Sequence, residues 1–132
     1  MVLKEKYDVV VIGSGPGGLA AAISAKRNGA RDVLIIERDV EPGGILLQCI
    51  HNGFGLELLG VDLPGPAYAQ KFIDEAKEEG VEILLDTMVL EITPQRRIFA
   101  TGKSSGFVDV QARSIVLSMG CREKTRSQIR LP

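Results

Sequence analysis

Six residues, Gly13-Ser14-Gly15-Pro16-Gly17-Gly18, follow the apolar run Val9-Val10-Val11-Ile12 and lead into the Ala-rich segment Leu19 to Ala25. A glycine cluster between a buried strand and a helix start leaves the chain few choices besides a tight βα turn. Gly13, Gly15 and Gly18 meet the spacing G-x-G-x-x-G. The first glycine permits the sharp turn, the second lets a pyrophosphate touch the backbone, and the third lets the helix close on the strand. Such recognition needs no side chain. It uses the unpaired N–H donors of the helix start and the positive end of the helix dipole. A glycine hexad alone is weak, because any tight βα turn favours glycine for structural reasons.

The context strengthens it. Val33-Leu34-Ile35-Ile36 is a second apolar run, with Glu37 directly after it and 19 residues beyond Gly18. That is close to the spacing of about 20 expected for an acid that binds a ribose hydroxyl. Leu19, Ala22, Ile23, Ala25 and Lys26 give a small-residue helical face, and Asn28-Gly29 supplies a helix stop. Residues 8–37 therefore read as β-α-β. Glu37 argues against a 2′-phosphate on the ribose, since two negative groups would face each other; Arg38 beside it weakens that argument slightly.

Length and composition fit one globular domain: 132 residues, 45% hydrophobic and 25% charged. A net charge of −1 gives no electrostatic case for nucleic acid or an acidic membrane surface. With no Trp and few aromatics, no platform for stacking bases is visible. No apolar stretch approaches the ~20 residues of a membrane span. Met1 to Lys6 lacks the long apolar region of a signal peptide. Two separated thiols, Cys49 and Cys121, lead us to expect a reducing compartment, the cytoplasm. One histidine and two scattered cysteines make no metal ligand set.

Beyond the βαβ unit, a glycine-rich passage runs from Glu41 to Pro66. It is too long for a simple connection and too apolar for a floppy linker. Ala67 to Glu79 predicts an amphipathic helix with Tyr68, Phe72, Ile73 and Ala76 on one face, capped by Gly80. Val81 to Leu85 predicts a strand. Val89 to Thr93, Ile98 to Thr101 and Phe107 to Gln111 predict a small antiparallel meander. Ser114 to Ser118 predicts one more buried strand, ending at Met119-Gly120.

This order of parts resembles the FAD-binding domain of the pyridine nucleotide–disulfide oxidoreductase superfamily, across essentially the whole chain. The resemblance rests on V-V-V-I-G-S-G-P-G-G-L-A-A-A ending at Glu37, and on I-V-L-S-M-G near the end. It implies an α/β, Rossmann-like FAD/NAD(P)-binding domain, a parallel sheet with helices on one face and a small antiparallel β-meander on the other. Classical disulfide reductases place redox cysteines where Leu46 and His51 stand here, and Cys49 is out of register. The segment Ile50 to Gly55 is instead similar to thioredoxin-reductase-like flavoproteins and to relatives of the sarcosine oxidase α subunit.

What the resemblance implies about single residues is as follows. Gly13, Ser14, Gly15, Pro16, Gly17 and Gly18 would bind the FAD diphosphate, and Glu37 the adenosine ribose, with Arg38 near the adenine. Gly43, Gly44 and Ile45 would pass close to the ribityl chain or flavin, and Asn52 would contact the flavin ring. Met88 and Val89 would offer backbone groups to adenine, and Ser118, Met119 and Gly120 would face the diphosphate. No catalytic residue is identified. His51 is a candidate acid–base group beside Asn52, but a surface or packing histidine is the simpler reading.

Residues 1–120 are expected to form an incomplete FAD-binding domain, and 121–132 a crossover toward an NAD(P)-binding domain. The partner expected beyond FAD is the remainder of the flavoprotein or a partner subunit, with no nucleic acid and no membrane. The function implied is the FAD-binding portion of an oxidoreductase that passes hydride between NAD(P)H or a small organic substrate and FAD. The alternatives are a non-catalytic nucleotide-binding module, or the small subunit of a larger flavoprotein complex. A plain NAD-dependent dehydrogenase domain is disfavoured by the meander between Met88 and Gln111.

Overall fold

The computed structural model describes residues 2–121 and residue 128. Strand β1 (Lys6–Ile12) leads through the glycine turn into helix α1 (Pro16–Arg27) and strand β2 (Val33–Ile36). A 3-10 turn (Gly44–Gln48) and a short helix α2 (Leu56–Leu59) precede helix α3 (Gly65–Glu78). Strands β3 (Glu82–Leu84), β4 (Thr87–Ile92), β5 (Arg97–Gly102) and β6 (Gly106–Leu117) complete the order.

The six strands form one sheet in the order β3-β2-β1-β6-β5-β4. β1 pairs in parallel with β2, Val9 opposite Val33 through Ile12 opposite Ile36, and in parallel with β6. β5 pairs antiparallel with both β6 and β4. The sheet thus joins a parallel half to an antiparallel meander. One face of β1 and β2 turns Val11, Val33 and Ile35 toward Leu19, Ala22 and Ile23 of α1 and Ala69, Ile73 and Ala76 of α3. The other face turns Val10, Ile12, Leu34 and Ile36 toward Ile98, Ala100, Val108 and Val110 of the meander. Buried on both faces, β1 and β2 read as continuous apolar runs, as central parallel strands do.

One prediction is corrected. The segments Phe107 to Gln111 and Ser114 to Ser118 are a single strand, β6. Its first half pairs with β5 and its second half with β1. No glycine or proline lies between Gly106 and Gly120, so nothing breaks the extended backbone. β6 is therefore the strut that ties meander to parallel half.

The helix boundaries follow local chemistry. Pro16 stands at the start of α1, where a missing N–H costs nothing. Lys26 and Arg27 close its last turn against the negative end of the dipole. Asn28 caps it, and Gly29 adopts φ +99°. Helix α3 begins at Gly65 rather than Ala67, because Pro66 is accommodated in its first turn. Ala69 joins Ile73 and Ala76 in its buried face, whereas Tyr68 and Phe72 are only half-buried. Phe54, Tyr68 and Phe72 form an aromatic file, with ring centroids 5.9 Å and 4.9 Å apart.

The glycine-rich passage is ordered, as expected of it: Leu46 is buried and Phe54 bridges Leu63. Most of its other large apolar side chains, Ile45, Ile50, Leu56, Leu58 and Val61, are exposed. Among the described residues no helix is long and apolar enough to cross a membrane.

The two-faced core gives a test. Ile98 is fully buried beneath the meander, whereas Phe107 on its outer face is 70% exposed. Ile98→Ala should lower unfolding stability by about 2–5 kcal/mol, and Phe107→Ala by less than about 1 kcal/mol, in urea titrations of the chain.

Candidate functional site

The parallel strands β1, β2 and β6 end together, and the glycine turn lies over their ends. The Gly13 amide donates to the Ile36 carbonyl at 2.9 Å, and the Ser118 amide to the Ile12 carbonyl at 2.9 Å. These bonds hold the turn between the tips of β2 and β6. No room is left for a side chain at Gly13 or Gly18. A Cβ on Gly13 would run into the Ser118 carbonyl, and Gly13 has φ +103°. A Cβ on Gly18 would run into the Gly13 carbonyl. These two glycines close the turn, as the fingerprint requires.

Gly15 is different. A Cβ placed on it meets nothing within 4 Å. Its glycine leaves open space beside the backbone at the start of α1. Among the described residues, the amides of Gly15, Gly17 and Gly18 have no hydrogen-bonded acceptor. Helix starts carry such orphan donors, and an anion satisfies them. The turn, with its open side at Gly15 and its donors free, fits a diphosphate group.

Glu37 follows β2 and is 6% exposed. Its Oε2 accepts from the Ser14 amide at 2.8 Å and from the Ser14 hydroxyl at 2.6 Å. Its Oε1 accepts from the Asp39 amide at 2.9 Å. Burial pushes the Glu37 carboxyl up, but the donors from Ser14, Asp39 and Arg38 outweigh it and hold the group below its ordinary 4.5. The carboxylate is thus ionised and bound to the turn that carries the free amides. Its backbone is anchored as well: the Glu37 amide donates to the Leu84 carbonyl at 2.8 Å, and the Thr87 amide to the Glu37 carbonyl at 2.9 Å.

The second glycine pair also reaches the turn. The Gly43 amide donates to the Ser14 carbonyl at 3.0 Å and lies 3.3 Å from its hydroxyl. A Cβ on Gly44 would lie 2.9 Å from the Gly15 Cα, so the two loops touch backbone to backbone.

The structure therefore brings together Gly13 to Gly18, Glu37, Gly43, Gly44 and Ser118. Met88 and Val89 follow Thr87 on β4 and so start beside the Glu37 backbone; Met88 is exposed and Val89 half-buried. Arg38 is exposed, with Asp39 at 3.7 Å. Ile45 and Met119 are exposed, at 62% and 66%, and Gly120 turns with φ +66°. His51 and Asn52 sit on the surface of the passage before α2, and no hydrogen bond ties them to the glycine turn. His51 Nδ1 lies 2.9 Å from the Asn52 carbonyl, and its ring is 5.5 Å from Phe54. The Asn52 amide is 3.5 Å from Asp62, at the limit of a hydrogen bond. Cys49 and Cys121 are free thiols. The basic residues Arg122, Lys124 and Arg126 lie outside the described residues. Among the described residues no cluster fits a metal ion.

Sequence reasoning missed the Thr87 amide, which supports the Glu37 backbone, and the Asp39 amide, which supports its carboxylate. Neither carries a sequence signal, since any residue but proline supplies an amide; the buried Thr87 hydroxyl is engaged elsewhere, with the Leu85 carbonyl and Ser105.

Comparison with known proteins agrees with this geometry. The family described as pyridine nucleotide-disulphide oxidoreductase matches residues 7–129. A thioredoxin reductase of Listeria monocytogenes is 30% identical over 127 residues, covering 94% of this chain and 37% of the relative. Sarcosine oxidase subunit alpha of a Corynebacterium is 43% identical over 72 residues, covering 54% of this chain and 6% of the relative. In solved structures, thioredoxin reductase of Streptococcus pyogenes superposes with a TM-score of 0.73 at 24% identity, over 93% of this chain and 38% of that one. The chain thus spans well under half the length of these relatives.

Glu37 makes stability pH-dependent. Its folded pKa is depressed, so its contribution is present above the unfolded value near 4.5 and is lost as pH falls through the folded value. Unfolding titrations should show stability dropping below about pH 4.5. Glu37→Gln should cost about 2 kcal/mol at pH 7 and flatten that acid limb.

Proposed function

This chain belongs to the pyridine nucleotide-disulphide oxidoreductase family, and on that premise we propose that it is the FAD-binding portion of a flavin-dependent oxidoreductase. The reaction proposed is hydride transfer between NAD(P)H or a small organic substrate and FAD. One observation carries the reading: a buried, ionised Glu37 is hydrogen-bonded to a glycine turn whose Gly15, Gly17 and Gly18 amides are free and whose open side lies at Gly15.

In this reading the turn from Gly13 to Gly18 holds the diphosphate through the free amides of Gly15, Gly17 and Gly18, the Gly13 and Ser14 amides being taken by Ile36 and Glu37 and Pro16 having none, and Glu37 accepts from the ribose. Arg38 lies beside the adenine, with Met88 and Val89 offering backbone groups. Gly43, Gly44 and Ile45 run along the ribityl side, Asn52 reaches toward the flavin ring, and Ser118 to Gly120 flank the diphosphate. Residues 1–120 make up the binding domain; the crossover expected at 121–132 lies, apart from residues 121 and 128, outside the described residues. FAD, when bound, supplies the electron chemistry. The chain's own residues bind and orient the nucleotide, and no side chain among them is assigned a proton transfer. His51 faces solvent against Phe54, which favours a surface role. The free thiols suit a reducing compartment such as the cytoplasm.

The test is direct. The purified chain should be yellow, with flavin absorbance near ~450 nm, or should take up FAD and ADP in calorimetry. Gly15→Val projects a side chain into the open space, so it should weaken both ligands at least about tenfold while leaving the unfolding midpoint within about 2 °C. Unchanged binding by Gly15→Val would remove the glycine turn as the site. Uptake of ADP with no uptake of FAD would shift the reading to a non-catalytic nucleotide-binding module.

A further inference from the structure

Ser14 occupies an x position of the glycine fingerprint, where the spacing asks for no particular side chain. Yet it is fully buried, and its hydroxyl is engaged on both sides. The hydroxyl donates to Glu37 Oε2 at 2.6 Å, and the Gly43 amide approaches its oxygen at 3.3 Å. The Ser14 amide donates to the same carboxylate oxygen at 2.8 Å, and the Ser14 carbonyl accepts from Gly43 at 3.0 Å. Glycine or alanine at this position would keep both backbone bonds and lose both hydroxyl bonds.

The two oxygens of Glu37 are consequently unequal. Oε2 is filled by two donors from Ser14, while Oε1 carries the Asp39 amide. An ionised carboxylate accepts at about four sites in all, two on each oxygen. The Arg38 amide also faces the carboxylate; with both sites of Oε2 taken by Ser14, the Oε1 side is where a ligand hydroxyl meets the group. We propose that the Ser14 hydroxyl is a positioning residue that fixes the Glu37 carboxylate so that one defined oxygen meets the ribose diol, making the site selective for a ribose with a free 2′-hydroxyl. The inference rests on the nucleotide-binding reading above and deepens it.

The same hydroxyl sets the charge state. Burial opposes ionisation of Glu37, and the Ser14 hydroxyl is the strongest of the donors that overcome it. Removing it raises the carboxyl's pKa, so protonation reaches Glu37 at a higher pH. The charged groups that follow Glu37 closely in the chain are Arg38, Asp39 and Glu41, all exposed, and half-buried Asp86 is held nearby through its amide, which donates to the Asp39 carbonyl at 2.9 Å. None of these is in a hydrogen bond between its side chain and the Glu37 carboxylate.

The experiment compares ADP and 2′-deoxy-ADP binding by calorimetry across pH 4 to 8, a range that starts below the ordinary carboxyl value of 4.5. It uses the full chain as wild type, Ser14→Ala and Ser14→Gly. The wild type should prefer ADP about tenfold or more, because a built hydroxyl site rejects the analogue that lacks the hydroxyl. Both variants should lose most of that preference, to below about threefold, and their ADP affinity should fall at a higher pH than the wild type's. Equal weakening of both ligands, with the preference and the pH profile unchanged, would overturn the positioning role and leave Ser14 merely structural. A wild type that binds neither ligand would overturn the nucleotide-binding reading itself, and this inference with it. Ser14→Gly adds no atoms and keeps the amide donor, so a folding defect in one variant leaves the other to decide.

Discussion

The buried bond between Glu37 and Ser14 organises this molecule. An ionised carboxylate is costly to bury unless donors surround it. Here the donors come from the glycine turn and from the chain just past β2, so satisfying one charge fastens several segments together. Through the Glu37 backbone, β3 and the start of β4 are drawn to the same place. Through Ser14, the Gly43 loop is drawn in as well. All of these meet beyond the carboxyl ends of the parallel strands, where open α/β sheets bind their ligands.

Close backbone approach is the second constraint, and it acts with the first. The turn can lie against the Ser118 carbonyl only because Gly13 lacks a side chain, and α1 can start there only because Gly18 lacks one. β6 sets the position of Ser118, and β6 is itself held by β1 on one side and β5 on the other. The meander, remote from the turn in sequence, therefore helps place the wall behind it. Packing of Ile98, Ala100, Val108 and Val110 against the sheet supports the site indirectly.

Much of this was legible in the residues. Continuous apolar runs gave β1 and β2, glycine spacing gave the turn, and an acid at the right distance gave Glu37. These signals are strong because each answers a local steric or electrostatic demand. The single course of β6 was hidden: Arg113 and Ser114 look like a polar break, although both lie exposed on a strand that continues through them. The depth of Ala69 and the exposure of Ile45 were hidden too, since each depends on which neighbours the fold brings near. The partners of Ser14 could not be read at all. A serine between glycines looks like any turn residue until the tip of β2 and the Gly43 loop are placed beside it.

This division also explains why fold and ligand class are easier to read here than substrate. The proposed diphosphate contact uses amides, which every residue carries, so its signature is the absence of side chains. The ribose contact uses one acid, whose signature is its distance from the turn. A substrate would be distinguished by side chains facing it, and the apolar residues exposed between Ile45 and Val61 belong to an outer surface where no pattern of charge or hydrogen bonding selects one chemistry. Backbone recognition suits a cofactor whose polar core is constant. It leaves the identity of the reacting partner to groups that the glycine turn, Ser14 and Glu37 do not supply.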